Sequence, residues 1–159
     1  MEDWQVLILS GPIGSGKASV GQKLCQAVPG SQFVQVYRSR TAMLSLSGDT
    51  ARDAALEAVR GLVETGQRVV IDDVIETPVE LAGFFDALPD MRTVAVTLMP
   101  SLEEMERRDA IKPVGQQAGP RVAELYHAMA SKLAERSTVL DTTDETVEDT
   151  VQRVLAALG

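Results

Sequence analysis

Cysteine is almost missing from this chain: Cys25 stands alone among 159 residues, so no internal disulfide can form. That suits a reducing compartment. Cys25 falls inside a helical pattern with no His or Asn nearby in sequence to activate it, and it reads as a small apolar packing residue. Long apolar runs are also missing, none approaching the roughly 20 residues that a bilayer-spanning helix needs. The opening Met1-Glu-Asp-Trp4 is acidic where a secretory leader would be basic. Positive charge is scarce, with 15 Lys+Arg against 23 Asp+Glu and a formal net charge of −8. That balance argues against nucleic acid or an anionic membrane as the main partner. No repeat, linker or low-complexity stretch interrupts the chain. What these absences leave is a soluble, cytoplasmic protein whose residues 1–159 form one domain, long enough for a full core.

What is present concentrates near the start. Val6-Leu-Ile-Leu9 is an apolar run of buried-strand type, and after Ser10 comes Gly11-Pro-Ile-Gly-Ser-Gly-Lys17-Ala18-Ser19, with a helical pattern opening at Lys17. Strand, glycine-rich turn, lysine and helix start, in that order, make a phosphate-binding loop of the G-x-x-x-x-G-K kind. Gly11, Gly14 and Gly16 can take backbone angles closed to other residues, so successive N–H groups face one hollow. The helix adds the positive end of its dipole, and the Lys17 ammonium reaches the outer phosphates. Gly11, Ile13, Gly14, Ser15, Gly16, Lys17, Ala18 and Ser19 are therefore the expected nucleotide-binding residues. One of them departs from the pattern: Ala18 stands where a Ser or Thr usually touches Mg²⁺.

Along the chain, strand-like and helix-like segments alternate. Strands are expected at 6–9, 33–37, 68–71, 93–98 and 138–140. Helices are expected at 17–28, at 50–64 with Asp49 as cap and Gly66 as stop, and at 79–88 following Pro78. A further helix opens on a Ser101–Glu104 capping box and runs to about Asp109, and two more cover 121–134 and 147–158. Alternation of this kind predicts a five-stranded parallel sheet with right-handed crossovers in a three-layer α/β/α domain. Ligands of such sheets lie beyond the carboxyl ends of the strands. The irregular segment 109–120, with Pro113, Gly115, Gly119 and Pro120, reads as a small lid.

At those carboxyl ends stand further candidates. Asp72 and Asp73 end the third strand, where a carboxylate can orient water on a phosphate-bound Mg²⁺ or simply cap the turn that follows. Arg107, Arg108 and Lys112 flank the lid; they can neutralise a phosphoryl group in transit, or pair with Glu103, Glu104 and Glu106 along the helix. Tyr37, Arg38 and Arg40 follow the second strand, where the arginines either hold an anionic acceptor or are solvated charges. His127, in a helix of small and apolar residues, reads as a satisfied, partly buried side chain and not as a catalyst. Trp4 and Tyr126 read as packing.

With these residues in view, the chain resembles the chloramphenicol phosphotransferase-like branch of the P-loop kinases, relatives of the nucleoside monophosphate and shikimate kinases. The resemblance rests on the P-loop, on Gly66-Gln-Arg-Val-Val-Ile-Asp-Asp-Val74, on Pro113-Val-Gly115, on the helix bearing Tyr126-His127 and on Val139-Leu-Asp-Thr-Thr143. It implies an adenylate-kinase-like strand order 2-3-1-4-5, ATP as donor, Mg²⁺ and a small hydroxyl-bearing acceptor. In that family the second strand usually ends in an aspartate that takes the acceptor's proton; here Tyr37 or Arg38 holds the place, and neither is a base at neutral pH. Asp109-Ala110 stands where the family often has an arginine. Adenylate kinases have Gly and then Thr at the positions of Ala18 and Ser19, which gives Ser19 the α-phosphate. The expected activity is transfer of the γ-phosphate of ATP to a small-molecule or nucleotide acceptor, and a phosphorylated acceptor on Arg38 and Arg40 would need no base. The two departures also fit a nucleotide-binding regulatory module with little transfer, or a slow ATPase with Asp73 positioning water.

Overall fold

Five short runs rich in β-branched and apolar residues build the sheet: β1 (Val6–Ser10), β2 (Ser31–Gln35), β3 (Arg68–Asp72), β4 (Thr93–Leu98) and β5 (Thr138–Leu140). The computed structural model describes residues 3–36, 48–130 and 132–159, leaving aside the side chains of 48–50. All the strands run parallel in the order β2-β3-β1-β4-β5, as expected. β1 is central and every one of its residues is buried, which is why it reads as an unbroken apolar run. Its register sets Leu9 opposite Asp72 and Ser10 opposite Thr97, so the P-loop, Asp72 and the chain after Met99 all emerge at one edge.

The helices are α1 (Lys17–Ala27), α2 (Gly48–Glu64), α3 (Pro78–Ala87), α4 (Leu102–Ala110), α5 (Arg121–Met129) and α6 (Val147–Leu158). Alternation along β1 divides the core in two. Val6 and Ile8 face Val59, Val63, Leu81, Phe84, Leu125 and Met129 of α2, α3 and α5. Leu7 and Leu9 face Val20, Leu24, Val151 and Val154 of α1 and α6. Gly21 lets α1 lie this close: a Cβ there would meet the Phe33 ring at 2.3 Å. Among the described residues no helix is long and apolar enough to cross a membrane.

Several boundaries differ from expectation, each for a local reason. β2 begins at Ser31 and not at 33, because Ser31 Oγ donates to Val28 O at 2.7 Å and turns the chain straight out of α1 into the strand. α2 begins at Gly48, so Asp49 falls inside the helix and not before it. α3 starts as expected, with Pro78 in its first turn and Thr77 Oγ1 accepting from Glu80 N. The box at Ser101 is only half made: Ser101 Oγ accepts from Glu104 N, but the Glu104 carboxylate turns to Arg107 and Arg108. The reciprocal box instead opens α6, between Thr146 and Asp149. α5 stops at Met129 and not at 134, because the chain must cross to the sheet, where Ser137 and Thr97 share a hydrogen bond of 2.7 Å. His127 is exposed, not partly buried, and sits edge-on to Tyr126 with ring centroids 5.4 Å apart.

Candidate functional site

The P-loop is shaped by its glycines. Gly11, Gly14 and Gly16 have φ of 152°, 88° and 91°, all unfavourable for a side chain. A Cβ on Gly11 would also lie 2.5 Å from both Leu98 O and Ser15 Oγ. Gly16 is the N-cap of α1 and no side chain caps the helix, which leaves its first N–H groups to an anion. Lys17 opens the helix with a side chain folded back over the loop, Nζ donating to Pro12 O at 3.2 Å. Only 8% of Lys17 is exposed. Burial pushes its ammonium below the ordinary lysine range, against the pull of the Asp72 and Asp73 charges. Ala18 is half-buried beside it, and Ser19 is exposed on α1.

Asp72 and Asp73 are neighbours with different circumstances. Asp72 is buried, one oxygen accepting from Gln35 Nε2 at 3.1 Å. Its other oxygen, Oδ1, is buried with no hydrogen-bond partner among the described residues, and Ser15 Oγ of the P-loop is in the same condition. Asp73 has both oxygens engaged: Oδ2 accepts from Arg52 Nε at 2.7 Å and Oδ1 from Val74 N at 2.9 Å. Arg52 also binds Glu80 Oε1 at 3.2 Å and Val74 O at 3.3 Å. Burial alone would lower the Arg52 pKa, but the Asp73 and Glu80 carboxylates outweigh it and hold the guanidinium more firmly charged. Asp73, expected beside Asp72 at the metal, is thus committed to a buried ion pair.

The lid cations also divide. Glu104 accepts from both arginines, from Arg107 NH2 at 2.7 Å and from Arg108 Nε at 2.9 Å, and these bonds bring its carboxyl down to about 2. Arg108 then reaches inward, NH1 donating to Gly14 O of the P-loop at 3.3 Å, whereas the Arg107 side chain is 61% exposed. Lys112 pairs with Asp109 at 3.6 Å. Asp109 is a carboxylate where the resemblance led one to look for an arginine, and it has a structural task. Its oxygens accept from Ala118 N and Gly119 N, each at 2.9 Å, tying the far end of the lid to α4. Between those points lies a single 3₁₀ turn, Val114–Gln116, with Ile111 and Val114 exposed. Tyr37, Arg38 and Arg40, the expected acceptor residues, lie outside the described residues.

Sequence reading missed Arg52 and Gln35. A buried Asp-Asp pair requires donors, but nothing in the one-dimensional pattern says which arginine or amide supplies them. A groove of about 670 Å³ lies elsewhere, lined by Arg60, Val63, Glu64 and residues 86–91 at the opposite edge of the sheet. It touches no P-loop residue.

The residues at the P-loop fit a nucleotide phosphate chain. The glycine cradle would be filled by any Cβ at Gly11, the α1 N–H groups are open, and a hydroxyl and a carboxylate oxygen stand buried without partners beside a lysine. Among the described residues no three His, Cys, Asp or Glu side chains converge as metal ligands. Asp72, with Oδ1 buried and unpartnered among the described residues, is the group here that would hold a divalent cation or its water.

A sequence model of the family described as chloramphenicol phosphotransferase-like protein matches residues 35–159. The match begins beyond the P-loop, so the two lines of evidence come from different parts of the chain. No curated protein matches in sequence. Among solved structures, the chain is similar to a tunicamycin resistance protein of Deinococcus radiodurans at 18% identity and a TM-score of 0.76, over 98% of this chain and 96% of that one. It is also similar to a sugar kinase of Janibacter sp. HTCC2649 at 16% identity and a TM-score of 0.74, over 96% and 93%. A shikimate kinase of Acinetobacter baumannii, solved with shikimate, gives 18% identity and a TM-score of 0.66 over 99% and 94%. At such identities the structures establish the fold, a P-loop kinase fold.

Proposed function

The chain belongs to the chloramphenicol phosphotransferase-like family, and from that premise we propose that it is a cytoplasmic kinase that moves the γ-phosphate of ATP to a small-molecule or nucleotide acceptor. One observation carries this reading: a glycine cradle, a buried lysine and two unpartnered buried oxygens meet at one edge of the sheet. The loop N–H groups and Lys17 hold the β- and γ-phosphates, with Gly11, Gly14 and Gly16 keeping the backbone close enough to do so. Asp72 turns Oδ1 to the metal's water shell, and Ser19 serves the α-phosphate side. Mg²⁺, when bound, would neutralise negative charge on the phosphates. Arg108, already at Gly14 O, meets the negative charge that spreads over the phosphoryl group in transfer, while Arg107 on α4 and Lys112 in the lid (109–120) serve as the lid closes. Catalysis is then positioning and electrostatics.

The acceptor side is assigned to Tyr37, Arg38 and Arg40. With Asp73 held by Arg52, and with no Asp or Glu from Val36 to Gly48, an acceptor oxygen that is already anionic suits this site best. A phosphorylated small molecule or a nucleotide meets that requirement, because an oxyanion needs no base. The same two features favour a second reading, a nucleotide-binding module with little transfer. The Asp73–Arg52 pair weighs against a slow ATPase that uses Asp73 to position water.

The test is calorimetric titration with ATP, with and without Mg²⁺, on the wild type and Lys17→Ala. It is followed by ADP release against a panel of phosphomonoesters and neutral polyols. Micromolar binding lost in Lys17→Ala, with release stimulated by phosphomonoesters, is expected. Binding that no acceptor converts into turnover would favour the module. An absence of binding at millimolar ATP would sink both readings.

A further inference from the structure

We propose that Gln35 is a positioning residue for Asp72, a neutral clamp that aims the carboxylate at a phosphate-bound cation without cancelling its charge. The inference rests on the kinase reading above. Gln35 and Asp72 are register partners across the β2–β3 ladder, the last residues of their strands, so their side chains leave the sheet side by side. Gln35 Nε2 donates to Asp72 Oδ2 at 3.1 Å. A carboxylate has acceptor sites on both oxygens, and here the clamp takes one oxygen and leaves Oδ1 buried and unpartnered among the described residues. An unsatisfied buried oxygen is costly, and a cation or its water is the ligand that would satisfy it.

The choice of donor matters. At the next residue, Asp73 is bound by a guanidinium at 2.7 Å, which offsets its charge and occupies its Oδ2. An amide orients its partner equally well and leaves the full negative charge in place. Two adjacent carboxylates are thereby set to different tasks by what donates to them: a cation makes Asp73 structural, and an amide leaves Asp72 able to bind charge. Outer partners of this kind commonly change metal affinity by an order of magnitude or more when removed.

The quantity to read is the ratio of ATP affinity with and without metal, measured by calorimetry with Mg²⁺ and by electron paramagnetic resonance with Mn²⁺ as probe. Gln35→Met keeps the length of the side chain and removes the donor. It is expected to reduce that ratio roughly tenfold and to leave metal-free ATP affinity near wild type, with some loss of thermal stability because the buried Asp72 carboxylate loses a donor. Gln35→Lys supplies a charged donor and is expected to abolish the metal-dependent gain while metal-free ATP affinity is kept or strengthened. A residue that merely packs β2 against β3 would lower the melting temperature and leave the ratio alone. An unchanged ratio in both variants overturns the inference and leaves the kinase reading standing, whereas a wild type that binds no ATP overturns both.

Discussion

The two halves of the carboxyl edge of the sheet use the same residue types to opposite ends. On the P-loop half, a lysine is buried against a backbone acceptor, and a carboxylate oxygen and a hydroxyl stand without partners among the described residues. On the half beneath α2, the arginine and carboxylate meet at 2.7 Å, both Asp73 oxygens accept a hydrogen bond, and all three guanidinium nitrogens engage Asp73, Glu80 or the Val74 backbone. Composition does not separate these halves; saturation does. A charged group that is fully hydrogen-bonded has little left for a ligand, and one held half-satisfied keeps its capacity to bind. On the kinase reading proposed above, the contrast favours the P-loop half as the nucleotide site over the groove of about 670 Å³ at the far edge.

The largest way to break the comparison is to unsaturate the second half. Arg52→Met strands a fully buried Asp73, and loss of one partner of a buried pair costs about 3–5 kcal/mol. Urea unfolding should show that loss, and Arg52→Met with Asp73→Leu should recover much of it, since removing both charges removes the penalty. A loss below about 1 kcal/mol in the single variant would mean that Asp73 is not held as described. Next in size is the division between the two lid arginines. Arg108→Ala should weaken ATP binding roughly tenfold, as loss of a charge-assisted contact does, while Arg107→Ala, on the solvent side, should stay within about twofold. Equal effects would show that the Glu104 fork does not sort them.

How much of this could be read from the sequence follows the same contrast. The P-loop and its three glycines were legible because they depend on local pattern: an apolar run, a glycine spacing, a helix start; the order of the strands depends on long-range pairing and came only with the family resemblance. Asp72-Asp73 was legible as a place. Their different surroundings were not, because those depend on Gln35, 37 residues away, and on Arg52, 21 residues away. Capping was legible at Thr77-Pro78 and misleading at Ser101, where Arg107 and Arg108 compete for Glu104. Asp109 read as a missing arginine, and only the fold shows it tying Ala118 and Gly119 back to α4.

That anchor gives a smaller, local prediction. The Ala118 N–H, Gly119 N–H and nearby Lys112 hold the Asp109 carboxyl below the ordinary range, with the Ala118 bond the leading cause. A carboxyl whose folded pKa is depressed contributes stability that is present above its unfolded value, about 3.9, and is lost as pH falls through the folded value. The amide resonances of Ala118 and Gly119 should therefore hold their positions from neutral pH to about 4 and move only below that. Asp109→Asn, which has one acceptor oxygen for two donors, should raise amide exchange at those two residues roughly tenfold at neutral pH. Resonances that shift together with exposed carboxyl groups would show that the lid is not tied there.

The smallest expected effect sharpens the comparison most directly, because it adds a ligand to the half that has room for one. Ala18 is the second residue of α1 and half-buried beside Lys17, so Ala18→Ser places a hydroxyl on the phosphate side at a cost of about 0.5 kcal/mol in helix propensity. If Asp72 alone draws the cation in, a second oxygen should raise the metal-dependent gain in ATP affinity by roughly threefold, a modest step because a water already fills such a position at little cost. The gain should persist when Asp72→Asn is combined with it, since the two oxygens approach the cation from different elements. A gain that vanishes in the combined variant would mean that the hydroxyl acts only by ordering Asp72. The division between a saturated and an open half would then come down to that one carboxylate and its amide clamp.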